Sequence, residues 1–235
     1  MKNQSEQHPN IIDRNRAILL CRDLLSVNDW VILAIKTSRQ VEHRVIPGDA
    51  EELVTVSVLG PHDKVLMDML IRPDGAVNSE LLQAHGCNQV KASNAPSFAE
   101  VHKILNAGFR KTRVLCFNPH KVKETLSTLC QREKLPALEG SFVDIQLVYS
   151  RFVGAKESDT AVSYIQQDLG KHDCSRTGVT AIAECRHIHH LLQEMAASDQ
   201  QYDSATAFNK GWSATFYKPK HGPAEKLKEL LGLGE

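Results

Sequence analysis

VILAIKTSR, residues 31 to 39, carries the fold of this chain. Val31, Ile32 and Leu33 form an apolar run rich in β-branched side chains, the composition of a buried strand. Thr37-Ser38 is a short polar exit. The strand is expected to begin at Trp30, because Val27-Asn28-Asp29 just before it reads as a turn after a helix. That helix spans residues 10 to 26, where Ile11 or Ile12, Ala17-Ile18-Leu19, Cys21 and Leu24-Leu25 recur at helical spacing.

After the opening strand, residues 40 to 50 are polar and hold Pro47-Gly48, a loop. ELVTVSVLG (52 to 60) and KVLMDMLIRP (64 to 73) are two strands, and Gly60-Pro61-His62-Asp63 between them makes a hairpin. Ser79 caps a short helix through Ala84. Ser97 caps another, FAEVHKILNAG, which Gly108 is expected to end. RVLCF (113 to 117) is a short buried strand. Pro119 opens a helix over 119 to 134 with Val122, Leu126, Leu129 and Cys130 as its apolar stripe. A brief strand runs into a helix between Phe142 and Phe152, and 178 to 197 is the last strong helix. Strands in runs, then alternating with helices, predict an α/β fold with a mixed β-sheet flanked by helices. The expected domains are a disordered N-terminus at 1–9, a folded domain at 10–197 and a C-terminal extension at 198–235.

Composition narrows the function classes. Hydrophobic residues make up 42% and charged residues 24%, enough for a sizeable core in 235 residues. Lys+Arg and Asp+Glu both number 28, so there is no net charge and no global signature of a strongly basic nucleic-acid binder. The six cysteines contain no CxxC spacing, and read as free thiols in a reducing, cytoplasmic setting. No apolar run reaches the roughly 18 residues of a membrane span, and the polar start MKNQSEQHPN has no apolar core of a signal peptide.

With its local sequences in this order, the chain resembles the DnaQ-like DEDD 3′–5′ exonucleases of the ribonuclease H-like fold over roughly residues 15 to 197. VILAIKTSR lies on a first strand that typically reads VILDTETTG. Glu52 to Leu59 lies on EIVQIAVID, Ile71-Arg72-Pro73 on a V-x-P element, and His85-Gly86-Cys87 on HGI. Ala95-Pro96-Ser97-Phe98-Ala99-Glu100 matches APTFAE, Phe117-Asn118-Pro119-His120-Lys121-Val122 lies on YNAAFD, and Val179 to Arg186 lies on HSALGDCR. The resemblance implies two-metal phosphodiester hydrolysis, with four acids holding the ions and a His as general base. It also implies where those groups would stand. The acids fall on Ala34, Lys36, Val122 and Glu184, and the His on Val179. Three of the four ligands and the base are then missing, and Lys36 puts a positive charge where an ion would sit.

The expected reading is therefore a degenerate member: a pseudo-exonuclease with no metal and no cofactor, serving as a protein-interaction or scaffold subunit in a nucleic-acid-processing system. One alternative is a non-cleaving binder of single-stranded DNA or RNA that uses the old cleft, with Lys36, Thr37, His85 and Asn118 as contacts. Another is a residual exonuclease with relocated ligands, for which Asp49, Glu51, Glu52 and Asp144 are the nearest acids. Lys36 either meets a phosphate or pairs with Glu184. His187, His189 and His190 are read as packed or solvated rather than as a zinc site, and the Lys and Arg of residues 109 to 113 and 121 to 124 as ordinary charged surface. The extension carries Phe208, Trp212, Phe216 and Tyr217, expected to dock on a protein partner. A homodimer is a further expectation drawn from the resemblance.

Overall fold

β1 (Trp30–Thr37) is buried at every residue except Lys36, as a central strand covered on both faces must be. The structure, a computed structural model, describes residues 8–38, 52–74, 82–83, 88–154 and 180–201. Expectations for residues 1–7, the loop at 40–50, His85, Val179 and the aromatic residues after 201 fall outside the described residues; of the helix expected at 79–84 only 82–83 are described, and both are helical.

β2 (Leu53–Gly60) runs antiparallel to β1, with Lys36 opposite Thr55 and Ala34 opposite Ser57. β3 (Lys64–Leu70) returns antiparallel to β2. The expected hairpin turn is a single 3-10 turn, Pro61–Asp63, in which His62 and Asp63 both take φ 59°. β4 (Arg113–Cys116) and β5 (Ser141–Asp144) add in parallel on the other side of β1, giving the order β3-β2-β1-β4-β5.

Helix ends follow their local chemistry. α1 (Ile11–Val27) begins where the Asn10 side chain accepts from the Asp13 amide. α2 (Gln89–Ser93) is a short helix capped by Asn88. α3 (Phe98–Phe109) opens with a full capping box between Ser97 and Glu100. α4 (Pro119–Arg132) has Pro at its first position. α5 (Ile145–Val153) is capped by Asp144 and ends at Gly154, whose φ of 74° suits glycine. α6 (Ala181–Ala197) is capped by Thr180.

Several boundaries differ from the sequence expectation: β3 ends at Leu70 rather than at Pro73, β4 ends one residue early at Cys116, and two helix ends have a visible cause. Gly108 does not end α3: the helix runs on to Phe109, because Phe109 is itself a core residue, and Arg110 caps it in helical geometry. α4 stops at Arg132 rather than 134. Lys134 takes φ 54°, its amide meets the Gln131 carbonyl, and the Leu135 amide meets the Cys130 carbonyl, a Schellman ending built without glycine.

The period of two along β1 sorts its side chains into two cores. Val31, Leu33 and Ile35 pack with Phe98, Leu105, Leu126 and Leu129 of α3 and α4. Trp30, Ile32 and Ala34 pack with α1, α5 and α6. Four cysteines, Cys21, Cys116, Cys130 and Cys185, are free and buried. Burial pushes the Cys21 and Cys116 thiols up to about 12. We expect Cys21, Cys116 and Cys185 to resist iodoacetamide at pH 8 in the native protein and to react on unfolding, read by peptide mass spectrometry. Native labelling at the rate of a free thiol would contradict their burial. Among the described residues no helix is long and apolar enough to cross a membrane.

Candidate functional site

The last inward-facing position of β1 is Lys36. It shares a face with Ile32 and Ala34, which places its stem against α6. α6 starts at Thr180, whose Oγ1 accepts from the Ala183 amide at 3.3 Å and whose carbonyl accepts from the Glu184 amide at 3.1 Å. Glu184 thus sits in the first helical turn, where the helix dipole favours an anion. Its Oε2 accepts a hydrogen bond from Lys36 Nζ, and the two side chains keep only 15% and 21% of their exposure. Of the two partners open to Lys36 in the sequence, a phosphate or Glu184, the structure holds Glu184.

The wall behind the pair is tight. The next residue of α6, Cys185, turns its Sγ to the Ile32 and Ser57 carbonyls at 3.7 and 3.5 Å. Ala34 is 1% exposed and lies among apolar side chains of that layer. Val122 belongs elsewhere: it is buried in the cluster on the opposite face of the sheet, with Leu126, Leu129 and Cys130. The structure thus brings Lys36 and Glu184 together, keeps Ala34 beneath them in the same layer, and assigns Val122 to the other core.

The two described alternative acids, Glu52 and Asp144, are occupied. Glu52 receives both Arg132 Nη1 at 2.7 Å and Arg132 Nη2 at 3.0 Å, and Arg132 also meets Asp74 at 2.9 Å. Ser38 and Glu52 are clasped through backbone and hydroxyl bonds at 2.7 and 3.0 Å. Asp144 Oδ1 accepts from the Leu147 amide at 3.1 Å, which spends it on capping α5. Asp49 and Glu51 lie outside the described residues. Two hard divalent ions need several carboxylate oxygens converging on one point. Among the described residues no three His, Cys, Asp or Glu side chains do so. Ala34 and Val122 carry no donor atom and Lys36 carries a competing charge, so these residues do not fit a two-metal centre.

Of the expected nucleic-acid contacts, Lys36 is in the ion pair and Thr37 is 1% exposed. Asn118, in left-handed geometry with φ 46°, uses its Oδ1 to accept from the Lys121 amide and cap α4. His85 lies outside the described residues. Arg113, in the basic stretch at 109 to 113, is held by Asp23 and Asp29.

Of the three histidines, two are packed and one is more open. His187 and His189 are both buried, and His190 is the more exposed. His187 lies against the Phe117 ring and His189 against Trp30. Burial pulls the His189 imidazole below its ordinary value, opposed by Asp63 at 4.0 Å and aided by His62 and His190; Arg186 also meets Asp63, at 3.8 Å. A lowered folded value means that the unfolded chain binds the proton first. Stability is then full above about pH 6.5 and falls as pH drops through that value toward the folded one. We expect the melting temperature to fall from pH 7.5 to 5.5, and the fall to be smaller in His189→Phe. An equal fall in both would remove His189 as its source.

A cavity of about 230 Å³ opens between Thr55, the cross-strand neighbour of Lys36, and Asp68, Lys91 and the start of α6 at Thr180–Ile182. It lies below the roughly 300 to 1,000 Å³ of pockets that enclose drug-sized ligands. The sequence expectation missed it. Its one signal was polar Thr55, Ser57 and Asp68 at alternate positions of otherwise apolar strands; Ser57 Oγ donates to Asp68 Oδ1 at 2.7 Å.

No known protein family matches the sequence, and neither does any curated protein. Solved structures do match. The nuclease domain of 3′hExo, a DEDDh family member bound to rAMP, is 18% identical with a TM-score of 0.57, covering 72% of this chain and 92% of that one. A 3′-exonuclease that recognises the 3′ end of a histone mRNA stem-loop is 17% identical with a TM-score of 0.55, covering 70% and 80%. A full-length 3′-exonuclease is 16% identical with a TM-score of 0.56, covering 70% and 59%. The likeness is one of fold, and it agrees with the strand order β3-β2-β1-β4-β5 and the helices on both faces: the chain has the ribonuclease H-like fold of the DnaQ-like DEDDh exonucleases.

Proposed function

We propose that this protein is a catalytically inactive exonuclease-fold subunit, a binding or scaffold module in a nucleic-acid-processing system. The observation that carries the reading is the Lys36–Glu184 ion pair. In this fold the end of the first strand and the start of the last helix are where acids would face metal ions. Here one of the two side chains is a cation and the other is neutralised by it. Ala34 and Val122, packed into two different cores, support the same reading. Chemistry on a phosphodiester needs an activated water and a stabilised leaving oxygen, and no described group stands ready for either.

A protein rather than a nucleic acid is the partner the charge supports. The net charge is zero, and among the described residues two basic side chains near the end of β1 are paired, Lys36 with Glu184 and Arg132 with Glu52. The test is fluorescence anisotropy with labelled single-stranded RNA, single-stranded DNA and duplex DNA at 50 and 200 mM salt. Weak binding to all three is expected. A protein making 6–10 phosphate contacts would lose about 10³- to 10⁵-fold in affinity between those salts. Tight binding with that salt dependence would replace the scaffold reading by the nucleic-acid-binding one. Thermal melts in the same buffers check the inactive site. Saturating Mg²⁺ or Mn²⁺ is expected to leave the melting temperature unmoved, whereas a site filled at 100 times its Kd would add about 2.7 kcal/mol.

A further inference from the structure

The chain leaving α6 is stitched along the outside of α1. Arg22 Nε donates to the Ala196 carbonyl at 2.8 Å and its Nη2 to the Ser198 carbonyl at 2.9 Å. Arg14 Nη1 donates to the Asp199 carbonyl at 2.7 Å, and Arg14 also lies 4.8 Å over the Phe152 ring. Asn15 then holds Gln201 from both sides, Nδ2 to its carbonyl at 2.6 Å and Oδ1 from its amide at 2.9 Å. Five hydrogen bonds thus fix where the C-terminal segment starts.

They fix it beside an uncovered apolar strip. At about 100° per residue, Asn15 lies about 60° round α1 from Ile12, and Arg22 the same from Leu19. Ile12 and Leu19, seven residues apart and 41% and 44% exposed, share one line of that helix. Arg16, 67% exposed, borders the line. Leu19 stands only about 6 Å along the helix from Asn15. The chain that follows is suited to such a strip. Residues 202 to 217 hold Tyr202, Phe208, Trp212, Phe216 and Tyr217 but only two charged residues, Asp203 and Lys210. Aromatic rings cover aliphatic side chains and stack on guanidinium groups.

We propose that residues 202 to 217 dock on the Ile12–Leu19 strip of α1 in the same chain. Their aromatic residues then complete the outer layer over α1 instead of standing as anchors for another protein. The clasp by Arg14, Asn15 and Arg22 makes the docking intramolecular, with a high effective concentration.

Trp212 reports on this directly, since Trp30 is the one other tryptophan. The spectrum of the full chain minus that of Trp212→Phe isolates its emission. The expected emission is well to the blue of N-acetyltryptophanamide, independent of protein concentration, and moves to the red in the double variant Ile12→Lys/Leu19→Lys. Both replaced side chains are exposed and lysine is a good helix former, so circular dichroism should show the variant folded. Three outcomes overturn the proposal. Water-like emission in the unaltered chain means no docking. Blue emission unchanged in the folded double variant means another seat. Blue emission that appears only as dimers form in light scattering means a second copy supplies the strip.

Discussion

Lys36→Ala is expected to destabilise the protein by about 2 kcal/mol in urea melts. Removing one partner of a fully buried ion pair costs about 3–5 kcal/mol, and the partial exposure of this pair scales that down. The cost comes from leaving the Glu184 carboxylate in a mostly dry corner without its cation. Replacing both partners by apolar residues of similar length, Lys36→Met with Glu184→Leu, should return stability to within about 1 kcal/mol of the unaltered chain. An enzyme that needed Glu184 for metal would show the reverse order: Lys36→Ala would be tolerated, and divalent ions would stabilise it. A double variant as unstable as the single would mean that the pair does more than neutralise itself.

Ala34→Asp should cost at least about 3 kcal/mol, since an unpaired carboxylate would enter an apolar layer. Ala34 is 1% exposed, and Cys185, Ile188 and Leu115 belong to the same cluster. The nearest described cation on that face is Lys36, about 7 Å along the strand and already committed to Glu184. The same substitution would restore the acid that the exonuclease resemblance puts at this position. Its effect therefore reports whether the old centre survives as a wet cleft or has closed into core. A near-neutral result in thermal melts, or rescue by Mn²⁺, would show an open cleft. A loss not recovered by any divalent ion is the expected outcome.

Much of the fold was legible because its signals are local. VILAIKTSR is apolar on both faces and became the central strand. Pro61 with His62 and Asp63 made the hairpin turn, and Ser97 with Glu100 made the cap of α3. The errors came where tertiary packing overrode local preference. Burial of Phe109 carried α3 past Gly108, and Lys134 took the left-handed ending that glycine usually supplies. In the site, the Lys36–Glu184 pair was legible through the resemblance, which implies that both residues stand at positions facing one centre, where opposite charges attract. That Val122 packs with Leu126, Leu129 and Cys130 was legible too, but the face of the sheet they cover was not. A residue in the first turns of a helix can turn to either side of a sheet edge, and here the α4 stripe drew it into the core opposite Ala34. The cavity beside Thr55 depends on three elements meeting, which no single stretch encodes.

The central claim is that this exonuclease fold holds no working nuclease centre. Its most direct test is incubation of the purified protein with 3′- and 5′-end-labelled single- and double-stranded DNA and RNA in Mg²⁺ or Mn²⁺, resolved on denaturing gels. The expected result is full-length substrate in every lane, the same as without protein. Shortening from the 3′ end that requires the metal and disappears in Glu184→Ala would contradict the claim, and would mean that other carboxylates have taken over the ions.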